Sequence, residues 1–179
     1  IKLDEWLDNY QDGYSDDGQL LPRLGNDLMQ AINRHASANP INLIASAILT
    51  ADKQAMPEQQ LVTQLQHHQQ LIRDLGGDQH LTDPNIGPTQ LIQSAEHLRW
   101  LSREPQPFGD VLSLQPVNAV MLTWYRNNIM HLLALPSLIA CLLVNRRRGI
   151  GLERLKSAID LIYPYIAEEL CGTQPAATE

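Results

Sequence analysis

The stretch NAVMLTWYRNNIMHLLALPSLIACLLV, residues 118–144, decides the fold. Its first half predicts a helix capped by Asn118. That helix has a polar stripe, because Thr123, Asn127 and His131 recur at every fourth position between apolar residues. Its second half contains no Asp, Glu, Lys or Arg and includes Pro136. Comparable apolar periodicity along most of the chain predicts a mostly α fold built as a helical bundle.

The apolar run at residues 129–144 has three possible interpretations. It is shorter than the roughly 20 residues that a bilayer span needs. We predict a buried helical hairpin, with one helix over residues 116–135 and the next over residues 136–145. The first alternative is an interfacial segment whose neighbouring cations meet anionic headgroups, and the second is a true span. The candidate membrane-contact cations are Arg146, Arg147 and Arg148.

Proline and glycine divide the upstream chain into shorter elements. The apolar pattern predicts helices over residues 25–38, 40–49, 57–75 and 89–102. Asn26 or Asp27 is predicted to cap the first helix, and Asn39, followed by Pro40, to start the second. His67 and His68 are predicted to be a solvent-exposed pair, since neighbouring residues point about 100° apart on a helix.

The order of these elements predicts how the chain is organised. A short strand or hairpin is expected near residues 111–114. Helices followed by a hairpin predict a winged-helix-like unit, which we place at residues 26–116. Residues 117–170 are predicted to form the apolar helical hairpin and a seam helix, whose apolar residues over 152–166 alternate at spacings of three and four. Residues 171–179 are predicted to be a disordered tail.

Composition excludes several functions. The 179 residues carry a net charge of −7, which argues against a nucleic-acid partner. Residues 1–18 are rich in carboxylates, which predicts a solvated surface. A divalent-metal site is the alternative, but the spacing does not match a calcium loop. Cys141 and Cys171 have no zinc-binding pattern around them, and Cys141 is predicted to pack as a small apolar side chain. No metal and no cofactor are predicted.

A polar cluster on the helix from Asn118 is the candidate functional site. It consists of Arg126, Asn127, Asn128 and His131. Burying such groups is costly unless they are hydrogen-bonded, so one interpretation is a polar network that locks the helix to its neighbours. The other is that Arg126 contacts a phosphate or an acidic partner.

Three segments resemble one protein family. Residues 118–140 are similar to the tyrosine-arginine-asparagine-asparagine segment of the bacterial membrane-associated glycerol-3-phosphate 1-O-acyltransferases, which follows their acyltransferase domain. Residues 39–45, NPINLIA, resemble an asparagine-proline segment of that family. Residues 1–7, IKLDEWL, resemble the phrase that closes the acyltransferase domain. The resemblance therefore implies that residues 1–25 are the end of that domain and a linker.

The resemblance also implies a reaction and a place for it. The family transfers a fatty acyl group from acyl-CoA or acyl carrier protein to glycerol 3-phosphate, at the cytoplasmic face of the bacterial inner membrane. Its chemistry needs a His-x-x-x-x-Asp motif, in which the histidine is the general base. None of the six histidines of this chain has an aspartate five residues later. We therefore predict no catalytic residue and no activity for this chain alone. Its expected partners are the rest of the acyltransferase chain and an anionic membrane.

A second functional interpretation comes from the seam helix alone. Its apolar spacing also suits a stand-alone helical protein–protein interaction module, including a homo-oligomer. An independent hydrolase is not supported, because the sequence has no nucleophile motif such as Gly-x-Ser-x-Gly.

Overall fold

Helices alternate with short strands along the chain. The computed structural model describes Glu5, Asp8, residues 20–144 and residues 149–170. The elements in chain order are α1 (Leu20–Arg34), α2 (Pro40–Ile48), β1 (Ala55–Pro57), α3 (Glu58–Gly76), α4 (Pro88–His97), β2 (Leu101–Glu104), β3 (Val111–Leu114), α5 (Ala119–Asn127), α6 (Met130–Val144) and α7 (Leu152–Glu169). The prediction of a mostly α fold with a hairpin is confirmed.

Helix α2 lies at the centre of the core. Asn39 caps it by accepting a hydrogen bond from the Asn42 backbone N–H, and Pro40 occupies its first turn, as predicted. Every residue from Asn42 to Ile48 is buried. Helices α3, α4 and α5 pack around α2. An uninterrupted apolar helix is stable there because neighbours cover all of its sides.

Helix α3 follows its predicted pattern except at its ends. Leu61, Leu65 and Ile72 are buried, whereas Leu75 is largely exposed. The helix stops before Gly77, which has a positive φ of 78°. The predicted exposed histidine pair is wrong for His68. Its Nδ1 lies 2.9 Å from the Ser46 hydroxyl, and burial, with a smaller effect from His67, lowers its pKa.

A three-stranded antiparallel sheet covers one side of the helices. Its strand order is β1-β3-β2. The connectivity α2-β1-α3-α4-β2-β3 is that of a winged-helix unit, while the predicted domain boundaries stay predictions. The predicted helix over residues 89–102 is too long, because α4 ends at His97. Arg99 then adopts a positive φ of 58°, and the chain enters β2 at Leu101.

One guanidinium joins the hairpin to two helices. Arg103 on β2 donates to Glu58 at the start of α3, to Glu96 in the last turn of α4, and to Asp110 just before β3. The five nitrogen–oxygen distances run from 2.6 to 3.1 Å. The bond from Arg103 is the main reason that the pKa of Glu58 is lowered, and the three carboxylates raise the pKa of Arg103.

Helix α1 differs from its prediction at both ends. It begins at Leu20, so Asn26 and Asp27 lie inside the helix and do not cap it. None of its residues is buried, and Leu28 and Ile32 are exposed. The apolar stripe that predicted this helix is therefore not covered by the part of the chain that the structure describes.

The predicted helix over residues 116–135 is two helices. After a short 3₁₀ turn at Pro116–Asn118, α5 ends at Asn127, and α6 begins three residues later with Pro136 inside it. Asn118 makes no side-chain cap, and its Nδ2 donates to the Arg99 carbonyl. The predicted bend at Pro136 therefore occurs earlier, between α5 and α6. It turns α6 onto α3 and α7.

Helix α6 is apolar except for His131 and Ser137, yet none of its residues is fully buried. Leu132 and Leu133 are half-buried against the core, whereas Cys141 is exposed and does not pack as predicted. The predicted buried hairpin is therefore wrong for the described residues. None of the described helices is by itself long and apolar enough to cross a bilayer. By length and composition alone, the pair Pro116–Asn127 and Met130–Val144, bent by 84°, meets that test together.

Helix α7 packs against α6 and completes the described chain. Its buried residues, Tyr163 and Ala167, lie outside the apolar spacing that predicted the seam. The seam residues Leu152 and Ile162 are exposed, so the predicted seam is only partly covered. Three predictions fall outside the described residues. They are the carboxylate-rich loop around residues 11–18, the cations Arg146, Arg147 and Arg148, and the tail at 171–179.

Candidate functional site: the junction of α5 and α6

The predicted polar cluster lies where α5 turns into α6. The Asn128 backbone N–H donates to the Trp124 carbonyl, and that of Ile129 donates to the Arg126 carbonyl. Leu122 and Ile129 are buried on the opposite side, as the predicted apolar face requires. The two buried side chains anchor the junction, and the polar residues face away from them.

Arg126 stays in contact with the cluster through Asn127 but does not line the cavity that the other three residues share. Its Nη2 donates to Asn127 Oδ1 at 3.1 Å, and the residue is partly exposed. Asn127, Asn128 and His131 instead line an open cavity of about 600 Å³. The proposed contact between Arg126 and a phosphate or an acidic partner stays a prediction.

Three segments that are distant in sequence form the cavity. Its walls come from the end of α1, the start of α2, the α5–α6 junction and the end of α7. The polar lining residues are Asn33, His35, Ser37, Asn39, Asn42, Asn127, Asn128, His131 and Glu169. Met29, Ile32, Ala36 and Leu170 supply the apolar part of the wall. Most of the polar side chains are neutral amides, which both donate and accept hydrogen bonds.

Asn42 connects the start of α2 to the α5–α6 junction, and the sequence did not predict this role. Its Nδ2 donates to the Tyr125 carbonyl at 2.6 Å, and its Oδ1 accepts from the Asn39 backbone N–H at 2.9 Å. The side chain is 2 % exposed. A polar residue three positions after an N-cap, inside an otherwise apolar helix, is the sequence signal that could have identified it.

His131 attaches the junction to α1. Its Nε2 lies 3.0 Å from the Asn33 carbonyl, which can only accept, so this nitrogen carries the proton. Asn33 Nδ2 in turn donates to the Leu170 carbonyl at 2.8 Å. Burial lowers the pKa of His131, the bond to Asn33 opposes that shift, and the nearby His80 adds to it. The imidazole is therefore neutral at pH 7 and acts as a hydrogen-bond donor.

His131 and His80 also meet in a second cavity. It has a volume of about 230 Å³ and lies between α3, α6 and α7. His80 Nδ1 lies 3.0 Å from the Ala36 carbonyl, so the two imidazoles contact backbone carbonyls in the last turn of α1 and in the segment that follows it. Both rings position backbone segments here, which supports the interpretation of the cluster as a locking network.

Within the described ranges, no three His, Cys, Asp or Glu side chains come together as a metal site would require. The groups at the junction are amides and a neutral imidazole whose bonds are made to backbone atoms. Such groups can orient and hold a bound segment.

Comparison with known proteins identifies the family. No solved structure matches this chain. The family model for the glycerol-3-phosphate acyltransferase C-terminal region matches residues 1–179. Two of the three segments that carry the resemblance, residues 39–45 and 118–140, meet at this junction, where Asn42 bonds to the Tyr125 carbonyl. This chain belongs to the family of glycerol-3-phosphate acyltransferase C-terminal regions.

Proposed function

We propose that this chain is the accessory region of a glycerol-3-phosphate acyltransferase and serves as its scaffold and membrane contact. The enzyme transfers a fatty acyl group from acyl-CoA or acyl carrier protein to glycerol 3-phosphate in phospholipid synthesis. The catalytic groups lie in an acyltransferase domain that precedes this region. The reaction takes place at the cytoplasmic face of the bacterial inner membrane. The observation that carries the proposal is α6, a helix that is apolar except for His131 and Ser137 and that has no buried residue.

The outer face of α5 supports a membrane role. Val117, Val120, Met121 and Trp124 are all exposed and share one side of the chain, where they border a groove of about 540 Å³. Arg126 is the only Asp, Glu, Lys or Arg between residues 111 and 144. Soluble monomers rarely expose such a continuous apolar surface. Trp124, which is 74 % exposed, belongs to the residue type that collects at the boundary between membrane and water.

The cations that follow α6 would add electrostatic attraction. Arg146, Arg147 and Arg148 come directly after the apolar run in sequence. Each cation near an anionic bilayer contributes about 1 kcal/mol to membrane binding. The three together, next to an uncovered apolar helix, suit a segment that lies in the interface and does not cross it.

We expect the chain to sediment with vesicles that contain anionic phospholipid. Changing Arg146, Arg147 and Arg148 together to Gln should weaken this binding by about 3 kcal/mol, or roughly 100-fold, and the loss should shrink at high salt. The matched control is the pair Arg154→Gln and Lys156→Gln, two exposed cations on α7. Equal recovery of the unchanged chain in the supernatant with and without vesicles would count against membrane contact.

We also expect no acyl transfer by the chain of residues 1–179. None of its histidines has the aspartate that would orient it as a general base, and general-base catalysis is worth about 10² to 10⁴ in rate. The measurement is formation of lysophosphatidate from glycerol 3-phosphate and acyl-CoA by the purified chain. Product above the uncatalysed level would contradict the assignment of the chemistry to an upstream domain.

A further inference from the structure

Helix α1 presents an apolar stripe that the described chain leaves uncovered. Leu21, Leu28 and Ile32 follow one another at helical spacing and are 76, 43 and 60 % exposed. Met29, beside them, is also exposed. These four residues define the α1 stripe. The opposite side of the helix carries Arg23, Asn26, Gln30 and Arg34. A helix with one apolar side is stable when that side is packed against something.

We infer that the α1 stripe is the surface on which the upstream acyltransferase domain of the same polypeptide docks. This inference rests on the proposed function, which places that domain before this region. Residues 1–7 resemble the phrase that closes that domain, and helix α1 begins at Leu20, so the 12 residues 8–19 separate the two. Even fully extended, 12 residues span about 40 Å. Surfaces joined by so short a stretch meet at an effective concentration on the order of millimolar, which favours their packing together.

The charges near α1 favour a protein over a bilayer. Residues 1–18 contain Asp4, Glu5, Asp8, Asp12, Asp16 and Asp17 against Lys2 as the single cation. Anionic headgroups would repel this carboxylate-rich sequence, which precedes α1 directly in the chain. Helices that lie in a membrane surface usually have a polar face rich in Lys and Arg, whereas that of α1 mixes two arginines with amides.

The α1 stripe continues into the cavity at the α5–α6 junction. Met29 and Ile32 form part of the cavity wall, and Asn127, Asn128 and His131 lie on another side. A stripe of apolar side chains next to amides suits a protein segment, because apolar side chains can pack on one part while peptide groups bond to the other. Stripe and cavity together therefore form one continuous docking surface.

Crosslinking in the full-length acyltransferase tests this inference. A photo-crosslinking amino acid is introduced at Leu28 or at Ile32, and the enzyme is irradiated in its native membranes. The matched control is the same substitution at Asn26, which is exposed on the opposite side of α1. We expect intramolecular crosslinks from positions 28 and 32 to peptides of the upstream acyltransferase domain. The substitution at position 26 should give none.

Each other outcome overturns the inference. Crosslinks to lipid would make α1 a membrane helix, crosslinks between two polypeptides would make the stripe a self-association surface, and no crosslink would leave it exposed. If an acyltransferase domain is present upstream, none of these three outcomes contradicts the proposed function. A native polypeptide near 20.1 kDa, with no such domain, would instead remove the proposed function itself.

Discussion

Replacing Arg103 with Met should lower the free energy of unfolding by about 2 to 3 kcal/mol at neutral pH. This lies between the values for exposed and for buried ion pairs, because the Arg103 side chain is 29 % exposed. The change keeps most of the side-chain volume but leaves Glu58, Glu96 and Asp110 close together without a cation. The carboxylates then repel one another, and the hairpin loses the bonds by which Arg103 joins it to α3 and α4.

The loss of unfolding free energy in Arg103→Met should become smaller as the pH falls. In the natural chain the pKa of Glu58 is lowered by its bond to Arg103. A carboxyl with a lowered folded-state pKa stabilises the fold above its unfolded pKa of about 4.3, and this contribution is lost as the pH falls. In Arg103→Met the three carboxylates should instead have raised pKa values, so protonation relieves their repulsion. The difference in stability between the two proteins should therefore shrink from about pH 7 to about pH 4.

Urea unfolding of both proteins across this pH range measures the effect. The control is Arg154→Met, because Arg154 is exposed on α7, and its loss should stay within about 0.5 kcal/mol at every pH. A loss for Arg103→Met that is the same at both ends of the range would show that the missing packing of the alkyl chain, and not the carboxylate cluster, explains the destabilisation.

The sequence correctly predicted those helix ends that are set by hydrogen bonds or backbone conformations within a few residues. Helix α2 was placed correctly because Asn39 and Pro40 start it through contacts within three residues. The end of α3 at Gly77 follows from a backbone conformation that glycine adopts readily. The turn between α5 and α6 was missed because Asn127 and Asn128 are neither proline nor glycine, and packing of α6 on α3 and α7 decides the direction. The strand at Leu101 was missed because its spacing continues the pattern of α4.

In the candidate site, too, the sequence predicted the local grouping of residues but not their distant partners. The sequence indicated Asn127, Asn128 and His131 as one polar group, and all three do line one cavity. It could not indicate their partners, since Asn42 lies 83 positions from Tyr125 and Asn33 lies 98 positions from His131. Periodicity describes which side of a helix is polar and carries no information about what the polar side meets.

Asn42→Asp should be the most destabilising change of a single polar atom in this chain, at about 3 kcal/mol at neutral pH. The substitution keeps the shape of the side chain and the oxygen that accepts from the Asn39 backbone N–H. It replaces the Nδ2 donor with an oxygen that faces the Tyr125 carbonyl, 2.6 Å away in the natural chain. Two acceptors then oppose each other at a buried position, and one of them carries a charge.

The pH dependence separates this mechanism from a general loss of packing. Burial and the facing carbonyl should both raise the folded-state pKa of the new carboxyl above its unfolded value of about 3.9. A group with a raised pKa in the folded state favours folding below its unfolded pKa, and this advantage is lost as the pH rises through the folded pKa. The deficit of Asn42→Asp should therefore be smallest in acid, where the protonated carboxyl can donate to the Tyr125 carbonyl, and should grow toward neutral pH.

Thermal unfolding of Asn42→Asp, compared with Gln66→Glu, measures that deficit. Gln66 is exposed on α3, so the same amide-to-carboxyl change there should shift stability by less than about 0.5 kcal/mol. Asn42→Ala keeps no acceptor or donor and should cost about 2 kcal/mol with no comparable pH dependence. If Asn42→Asp matched Asn42→Ala at every pH, the bond to Tyr125 would contribute little. The α5–α6 junction would then be held by the buried side chains of Leu122 and Ile129 and by the bond from His131 to the Asn33 carbonyl.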